Sequence, residues 1–338
     1  MPLLEVDGLS VEYRRAGRRV RAVEDASFAI EEGQFFGLVG ESGCGKSTVA
    51  KTLLRLLPAT ARITSGAIRL KGRDLVPLPE AEMRRVRWRE IAYIPQSALN
   101  SLDPVVKVGH QVADVFRLHE PGAADVERRT RLLFEMVGLD PARVADYPHQ
   151  FSGGMRQRVT IAMAFALRPS LVIADEPTTA LDVLVQDQIL AQIRQLRGRL
   201  GHAMLLITHD ISLVAENCEA LAVMYAGRVV ERGPTDALFT RPAHPYTLGL
   251  QNAFPNLRGP RRELIAIPGS LPSPEDPLDA CPFAPRCPFA EARCSGERPA
   301  WHEVAAGHGV ACHFPERAAD FRAASARPET WRRPVAVP

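Results

Sequence analysis

The chain has 338 residues, 46% hydrophobic and 24% charged, with 42 Lys and Arg against 39 Asp and Glu and a net charge of +3. Such a chain is globular and long enough for about two domains, which excludes a disordered or fibrous protein. The basic excess is too small to imply a nucleic-acid partner.

The N-terminus, Met1 to Asp7, lacks the basic-then-apolar layout of a signal peptide, and no apolar run reaches the roughly 18 residues of a spanning helix. The expectation is a cytosolic chain that meets membranes only through partners. Residues 3 to 13 alternate loosely between apolar and polar, as do Val20 to Ile30, which predicts antiparallel strands. Arg14, Arg15, Arg18, Arg19 and Arg21 between them read as a solvated hairpin. Tyr13 can stack on a base or serve as an ordinary strand aromatic, and its spacing does not decide.

Phe35 to Val39 reads as a short buried strand, and Thr48 to Leu57 as a helix stopped by Pro58. Between them, Gly40-Glu41-Ser42-Gly43-Cys44-Gly45-Lys46-Ser47-Thr48 fits the phosphate-binding pattern G-x-x-x-x-G-K-[ST]. The glycines let the backbone curl with its N–H groups inward at a helix N-terminus, where an anion is held. Ser42, Gly43, Cys44, Gly45, Lys46, Ser47 and Thr48 form the nucleotide-contacting set. Lys46 reaches the β- and γ-phosphates, Ser47 completes a Mg²⁺ shell, and the Cys44 side chain is filler.

Ser65 to Arg73 predicts another hairpin, Glu80 to Arg89 a charged helix, and Ile91 to Gln96 a strand ending in a polar loop. From Val105 to Leu167 the pattern is helical, broken at Pro121-Gly122, Gly138 and Pro148, as a helical insertion would be. Leu171 to Ala174 is a continuous apolar run of the kind buried on both faces of a parallel sheet, and it ends in Asp175-Glu176. Carboxylates at that strand end suit Mg²⁺ binding by Asp175 and activation of water by Glu176 as general base; alone they would sooner read as surface acids capping the next helix, and the phosphate loop in the same chain reverses that preference. Ala203 to Thr208 is a further buried strand ending in His209, placed to donate to a γ-phosphate. Leu221 to Val230 closes the sheet as a hairpin around Gly227. Beyond Thr240 lie 16 of the 28 prolines, so regular structure should stop there, and residues after about Ala318 should be mobile.

With these stretches placed, the chain resembles an ATP-binding subunit of an ABC transporter over roughly residues 3 to 260. Phe151-Ser152-Gly153-Gly154-Met155 is similar to the ABC signature, usually L-S-G-G-Q. The family order is also met: phosphate loop, Gln96, signature, Asp175-Glu176, Ala180-Leu181-Asp182, His209. The resemblance implies an α/β fold: a P-loop NTPase (ABC ATPase) core, residues 1–240, with an antiparallel β subdomain and a helical subdomain at about 100–167. An irregular Cys-rich extension, residues 241–338, follows. It implies that Gln96 senses Mg²⁺ and the attacking water, that Asp182 works at a dimer interface, and that Tyr13 is the adenine-stacking aromatic. It implies further that Ser152 and Gly154 contact the γ-phosphate of ATP bound to an opposite subunit. Phe151 and Met155 depart from the usual signature and put packing across that dimer in question.

Tyr147-Pro148-His149-Gln150, Ser101-Leu102-Asp103-Pro104 and His244-Pro245-Tyr246-Thr247 narrow the resemblance to oligopeptide and dipeptide importer ATPases, whose relatives also import nickel. The implied partners are a second ABC ATPase subunit in a heterodimer, two transmembrane permeases and an extracytoplasmic substrate-binding protein, at the cytoplasmic face of the inner membrane. A nickel or metal-chelate importer is the alternative; an ABC ATPase acting on nucleic acid and an iron-sulfur redox sensor are more distant ones.

Six cysteines are present, and Cys281, Cys287, Cys294 and Cys312 crowd the last sixty residues. In a cytosolic protein this points to a metal before disulfides. Four thiolates in a poorly cored segment can hold a [4Fe-4S] cluster or Zn²⁺, and either would add folding energy. Their spacings lack the close pairs usual for zinc and equally the ferredoxin C-x₂-C-x₂-C run, and free thiols are the remaining alternative. His302, His308 or His313 could replace a thiolate in the zinc reading. Family resemblance favours the cluster.

Overall fold

A computed structural model describes residues 1–15, 17–96, 101–179, 181–254, 264–275 and 279–332. Ala180 therefore lies outside the described residues, as do residues 333–338.

In chain order, β1 (Leu4–Arg15), β2 (Arg18–Ile30) and β3 (Phe35–Val39) lead to α1 (Lys46–Leu53), β4 (Ala61–Leu70) and β5 (Arg73–Asp74). Next come α2 (Glu80–Val86), β6 (Ile91–Ile94), α3 (Val108–His119), α4 (Val126–Met136) and α5 (Gly153–Phe165). The chain continues through β7 (Leu171–Asp175), α6 (Val183–Leu200), β8 (Ala203–Thr208), α7 (Ile211–Asn217), β9 (Ala220–Tyr225) and β10 (Arg228–Pro234). Past these lie α8 (Thr235–Thr240), α9 (Pro245–Ala253), α10 (Ala292–Gly296), β11 (Trp301–Ala305), β12 (His308–Ala311), α11 (Ala318–Ser325) and α12 (Pro328–Arg332).

Two compact units result. The first comprises Met1–Leu3, Ile30–Gln34 and Asp74–Ile207; the second comprises Leu4–Ala29, Phe35–Arg73 and Thr208–Pro338.

In the first unit, β6, β7 and β8 form a parallel ladder, with Ile91 opposite Leu171 and Leu171 opposite Ala203. Every residue of β7 and β8 is buried, which is why these strands read as unbroken apolar runs rather than alternating ones. The insertion between β6 and β7 is helical as expected. α3 and α4 bury Val112, Phe116, Leu133 and Phe134, and the Arg129 guanidinium lies 4.0 Å from the Phe116 ring centroid.

In the second unit, β2, β1, β4 and β5 form an antiparallel sheet in that order, with Leu4 opposite Leu70 and Tyr13 opposite Ala61. Thus β4 pairs chiefly with β1, across the chain, rather than only with its hairpin neighbour. The fully buried β3 runs parallel to β9, and β9 turns back through Ala226 and Gly227, both at positive φ, into β10.

The proline-rich stretch departs from its sequence reading. The β9–β10 hairpin does not end the sheet: β12 pairs antiparallel with β10, placing Glu231 opposite Val310, and β11 pairs with β12. Residues 318–332 form two helices instead of a mobile tail. The order comes from long-range contacts that periodicity cannot reveal. Glu231, fully buried, accepts hydrogen bonds from the Ala243 and His244 amides and pairs with His308 Nε2 at 2.8 Å. Phe289 stacks on Phe321 at 4.4 Å, and buried Trp331 donates to the Ser325 carbonyl. Phe321→Ala should therefore lower stability by about 3–5 kcal/mol, read as a drop in the denaturant midpoint of the full chain; an unchanged midpoint would show the last helices to be unanchored.

Candidate nucleotide site

The phosphate loop leaves the end of β3 and enters α1, with Gly45 as N-cap at φ 109°. A Cβ on Gly45 would stand 2.3 Å from the Ala22 carbonyl oxygen, and one on Gly40 would stand 2.1 Å from that of Met224. Only glycine fits at either place. Lys46 is buried, and its ammonium donates to the Gly40 and Glu41 carbonyls at 2.7 and 2.9 Å, so the cation is fixed at the loop. Ser42 and Gly43 are exposed, whereas Cys44 faces inward, its sulfur packed toward Gly40. Burial raises the Cys44 thiol pKa, against an opposing pull from Lys46. The loop thus turns backbone, not the thiol, outward. Tyr13 lies close by, its hydroxyl 3.4 Å from Thr48 Oγ1.

Two further contacts hold this loop, through side chains whose role here spacing does not reveal. The Tyr246 hydroxyl accepts from the Glu41 amide at 2.9 Å. Arg286 donates to both Glu41 carboxylate oxygens at 2.9 and 3.0 Å. Tyr225, Tyr246 and Phe283 form a buried ring cluster with centroids 4.6 to 5.4 Å apart. The His244-Pro245-Tyr246 tripeptide was the visible signal: His244 Nδ1 accepts from the Tyr246 amide and caps α9, which aims the Tyr246 ring. His209 sits exposed at the end of β8, ahead of α7, which Asp210 caps.

The first unit gathers a second set. Asp175, buried at the end of β7, accepts from the Tyr93 hydroxyl at 2.9 Å. Burial, then the Asp175 charge, raises the Tyr93 pKa, so the phenol stays a donor. Glu176 follows with φ 45°, a left-handed backbone that is rare without glycine. Its amide donates to the Ile207 carbonyl, and its carboxylate accepts from Gln96 Nε2 at 2.7 Å and Thr179 Oγ1 at 3.0 Å. Gln96 and Glu176, 80 residues apart in sequence, are therefore brought together. The Gln96 amide nitrogen is engaged with Glu176, which leaves its carbonyl oxygen as the group able to meet a cation.

Ser152 is the N-cap of α5 and accepts from the Met155 amide; Gly153 and Gly154 open the helix. A Cβ on Gly154 would stand 2.8 Å from Val185. The two unusual signature residues are both absorbed by Arg143. Its guanidinium lies 4.6 Å from the Phe151 ring and donates to the Met155 sulfur at 3.5 Å. Phe151 is buried, so this departure is met by packing within the chain. Asp182 caps α6 by accepting from the Val185 amide.

Cys281, Cys287, Cys294 and Cys312 line one cavity in the second unit, walled by Phe283, Phe289, Phe314 and Phe321. Among the described residues no three His, Cys, Asp or Glu side chains are drawn tightly enough together to hold a single metal ion. Burial raises the Cys281 and Cys312 thiols to about 12 and about 11. Of the histidines considered as substitutes, His302 is exposed on β11 and His308 is engaged with Glu231. His313 borders the cavity, but its Nε2 meets the Glu297 carbonyl.

A family model described as ABC transporter matches residues 23–179, and one described as oligopeptide/dipeptide transporter, C-terminal region, matches residues 230–294. The chain is 46% identical over 315 residues to the probable peptide ABC transporter ATP-binding protein y4tR of Sinorhizobium fredii, covering 92% of this chain and 94% of that one. It is 42% identical to the dipeptide transport ATP-binding protein DppD of Escherichia coli, covering 93% and 97%. The same identity links it to the oligopeptide transport ATP-binding protein OppD of Haemophilus influenzae, covering 87% and 91%. Among solved structures, the dimeric bacterial ABC transporter cassette MJ0796 aligns with a TM-score of 0.62 and 27% identity, over 69% of this chain and 98% of that one.

Phosphate loop, signature and strand-end carboxylates on this scaffold define a P-loop ATPase of the ABC class. More narrowly, the chain belongs to the family of ATP-binding proteins of peptide ABC transporters. Tyr93→Phe removes a donor from a buried carboxylate, a loss of about 1–3 kcal/mol. ATP turnover of the assembled complex should fall about tenfold, measured as phosphate release; an unchanged rate would show Tyr93 to be dispensable.

Proposed function

We propose that this chain is the ATP-hydrolysing subunit of a bacterial ABC importer for di- and oligopeptides. The observation that carries this is the peptide-transporter C-terminal region built into the same compact unit as the phosphate loop. The DppD and OppD relatives, named for dipeptide and oligopeptide transport, support it. Residues 1–240 act as the ATPase and residues 241–338 as its extension.

The chemistry follows from the side chains. The loop amides from Ser42 to Thr48 and the Lys46 ammonium hold the phosphates, and Tyr13 meets the adenine. Ser47, Asp175 and Gln96 each carry an oxygen of the kind that Mg²⁺ takes, and the ion when bound would neutralise phosphate charge. Glu176 takes the proton of the attacking water, while Gln96 and Thr179 hold its carboxylate. His209 steadies the γ-phosphate. Ser152 and Gly154 present donors to the ATP of a second ATPase subunit. Val183 and Leu184 beside Asp182 are 80% and 77% exposed, apolar side chains that such a subunit would cover. The cysteine-bearing extension favours a heterodimer.

Among the described residues no helix is long and apolar enough to cross a membrane; membership of the peptide ABC transporter family supports two transmembrane permeases as partners. We place the subunit at the cytoplasmic face of the inner membrane, driven by a substrate-loaded extracytoplasmic binding protein. The four cysteines fit a [4Fe-4S] cluster: an all-thiol set borders one aromatic-walled cavity rather than a single point. Its chemistry there would be structural.

Two measurements test this. In the complex co-expressed with permeases, peptide-loaded binding protein should stimulate ATP hydrolysis, and Glu176→Gln should lower turnover at least about a hundredfold while ATP still binds. Parental turnover by that variant would sink the general-base assignment, and stimulation only by a nickel-loaded binding protein would redirect the substrate. Anaerobically purified protein should contain iron and sulfide in equal amounts, about four of each per chain; stoichiometric zinc would replace the cluster with an ion.

A further inference from the structure

We propose that Arg286 is a positioning residue of the nucleotide site, acting through Glu41 to set the affinity of the phosphate loop for ATP. Glu41 is the second residue of the loop and places a carboxylate beside the region where a polyanion must arrive. Its own backbone is already committed: the carbonyl accepts from Lys46 and the amide donates to Tyr246. The side chain is met by Arg286 through both oxygens.

Arg286 is well fitted to this task. It is only 6% exposed and donates to the Pro268 carbonyl at 2.8 Å, and its guanidinium lies 5.7 Å from the Tyr225 ring centroid. It stays cationic, and the planar fork holds Glu41 in one place. Arg286 closes the short turn Ala284–Arg286, between Cys281 and Cys287. The cysteine-bearing segment thus reaches the loop by charge. Leu271, from the stretch leading into that segment, lies 4.0 Å from where a Gly43 Cβ would be.

The physical consequence is electrostatic. With Arg286 present, Glu41 is neutralised; without it, the phosphate loop carries an uncompensated carboxylate. A unit charge about 10 Å from another at an effective dielectric of about 20 alters affinity by about tenfold.

This inference rests on the ATP site assigned above and deepens it. The test uses full-length chain for equilibrium binding of MgATP and MgADP, and the assembled complex for KM and kcat. Arg286→Gln should weaken ATP about tenfold, weaken ADP less, and raise KM with kcat retained. Glu41→Gln should bind ATP more tightly than the parent, because it leaves a buried cation beside the loop. The double variant should bind ATP at least about fivefold more tightly than Arg286→Gln. Arg286→Lys keeps the charge but not the fork, and should fall between parent and Arg286→Gln.

Equal weakening by the single and double variants, or a fall in kcat at constant KM, would reduce Arg286 to a structural part. Should Arg286→Gln fail to fold, Glu41→Gln decides alone: weaker ATP binding overturns the proposal and tighter binding upholds it. A Lys46→Ala control separates the two levels. If that variant binds ATP as well as the parent, the nucleotide site itself is misassigned, whatever Arg286 does.

Discussion

A loop that offers its backbone N–H groups to a triphosphate cannot also use them to hold itself together, and this constraint shapes the second unit. The loop is therefore anchored mostly through side chains and carbonyls; the amides it does spend are that of Glu41, on Tyr246, and that of Cys44, on the Glu41 carbonyl. Lys46 ties the Gly40 and Glu41 carbonyls, the glycines press against neighbouring backbone too closely for any side chain, and Glu41 is gripped from below by Tyr246 and Arg286. The anchors come from β9, α9 and the turn between two cysteines. What looks like an appendage to an ATPase is the floor on which its phosphate loop rests.

Much of the fold was legible because it is local. A phosphate loop is a contiguous pattern, and β6 and β8 stand where apolar runs put them, since a strand buried on both faces carries its signal in every residue. The C-terminal region was not legible in the same way. Its strands and helices are ordered by Glu231 with His308, by Phe289 with Phe321 and by Glu41 with Arg286, pairs up to 245 positions apart. Proline content reported the lack of local periodicity correctly, but long-range burial supplied what periodicity did not.

The candidate site shows the same division. The motif residues were readable as a set, but the residues that orient them were not. Tyr93 holds Asp175 and Arg143 accommodates Phe151 and Met155; each is an ordinary strand tyrosine or helix-flanking arginine until its partner is known. The unusual signature residues are informative in this light. An aromatic ring and a thioether in place of the usual leucine and glutamine are matched by one guanidinium of the same chain that meets both.

The left-handed backbone at Glu176 carries a consequence for how this protein tolerates change. Glycine would relax the peptide there at no steric cost, so the substitution most comfortable for the chain is one that deletes the carboxylate. With Glu176 as the general base proposed above, selection for robustness and selection for turnover pull in opposite directions at this one position. A library screened for heat resistance alone would drift toward well-folded, inert cassettes.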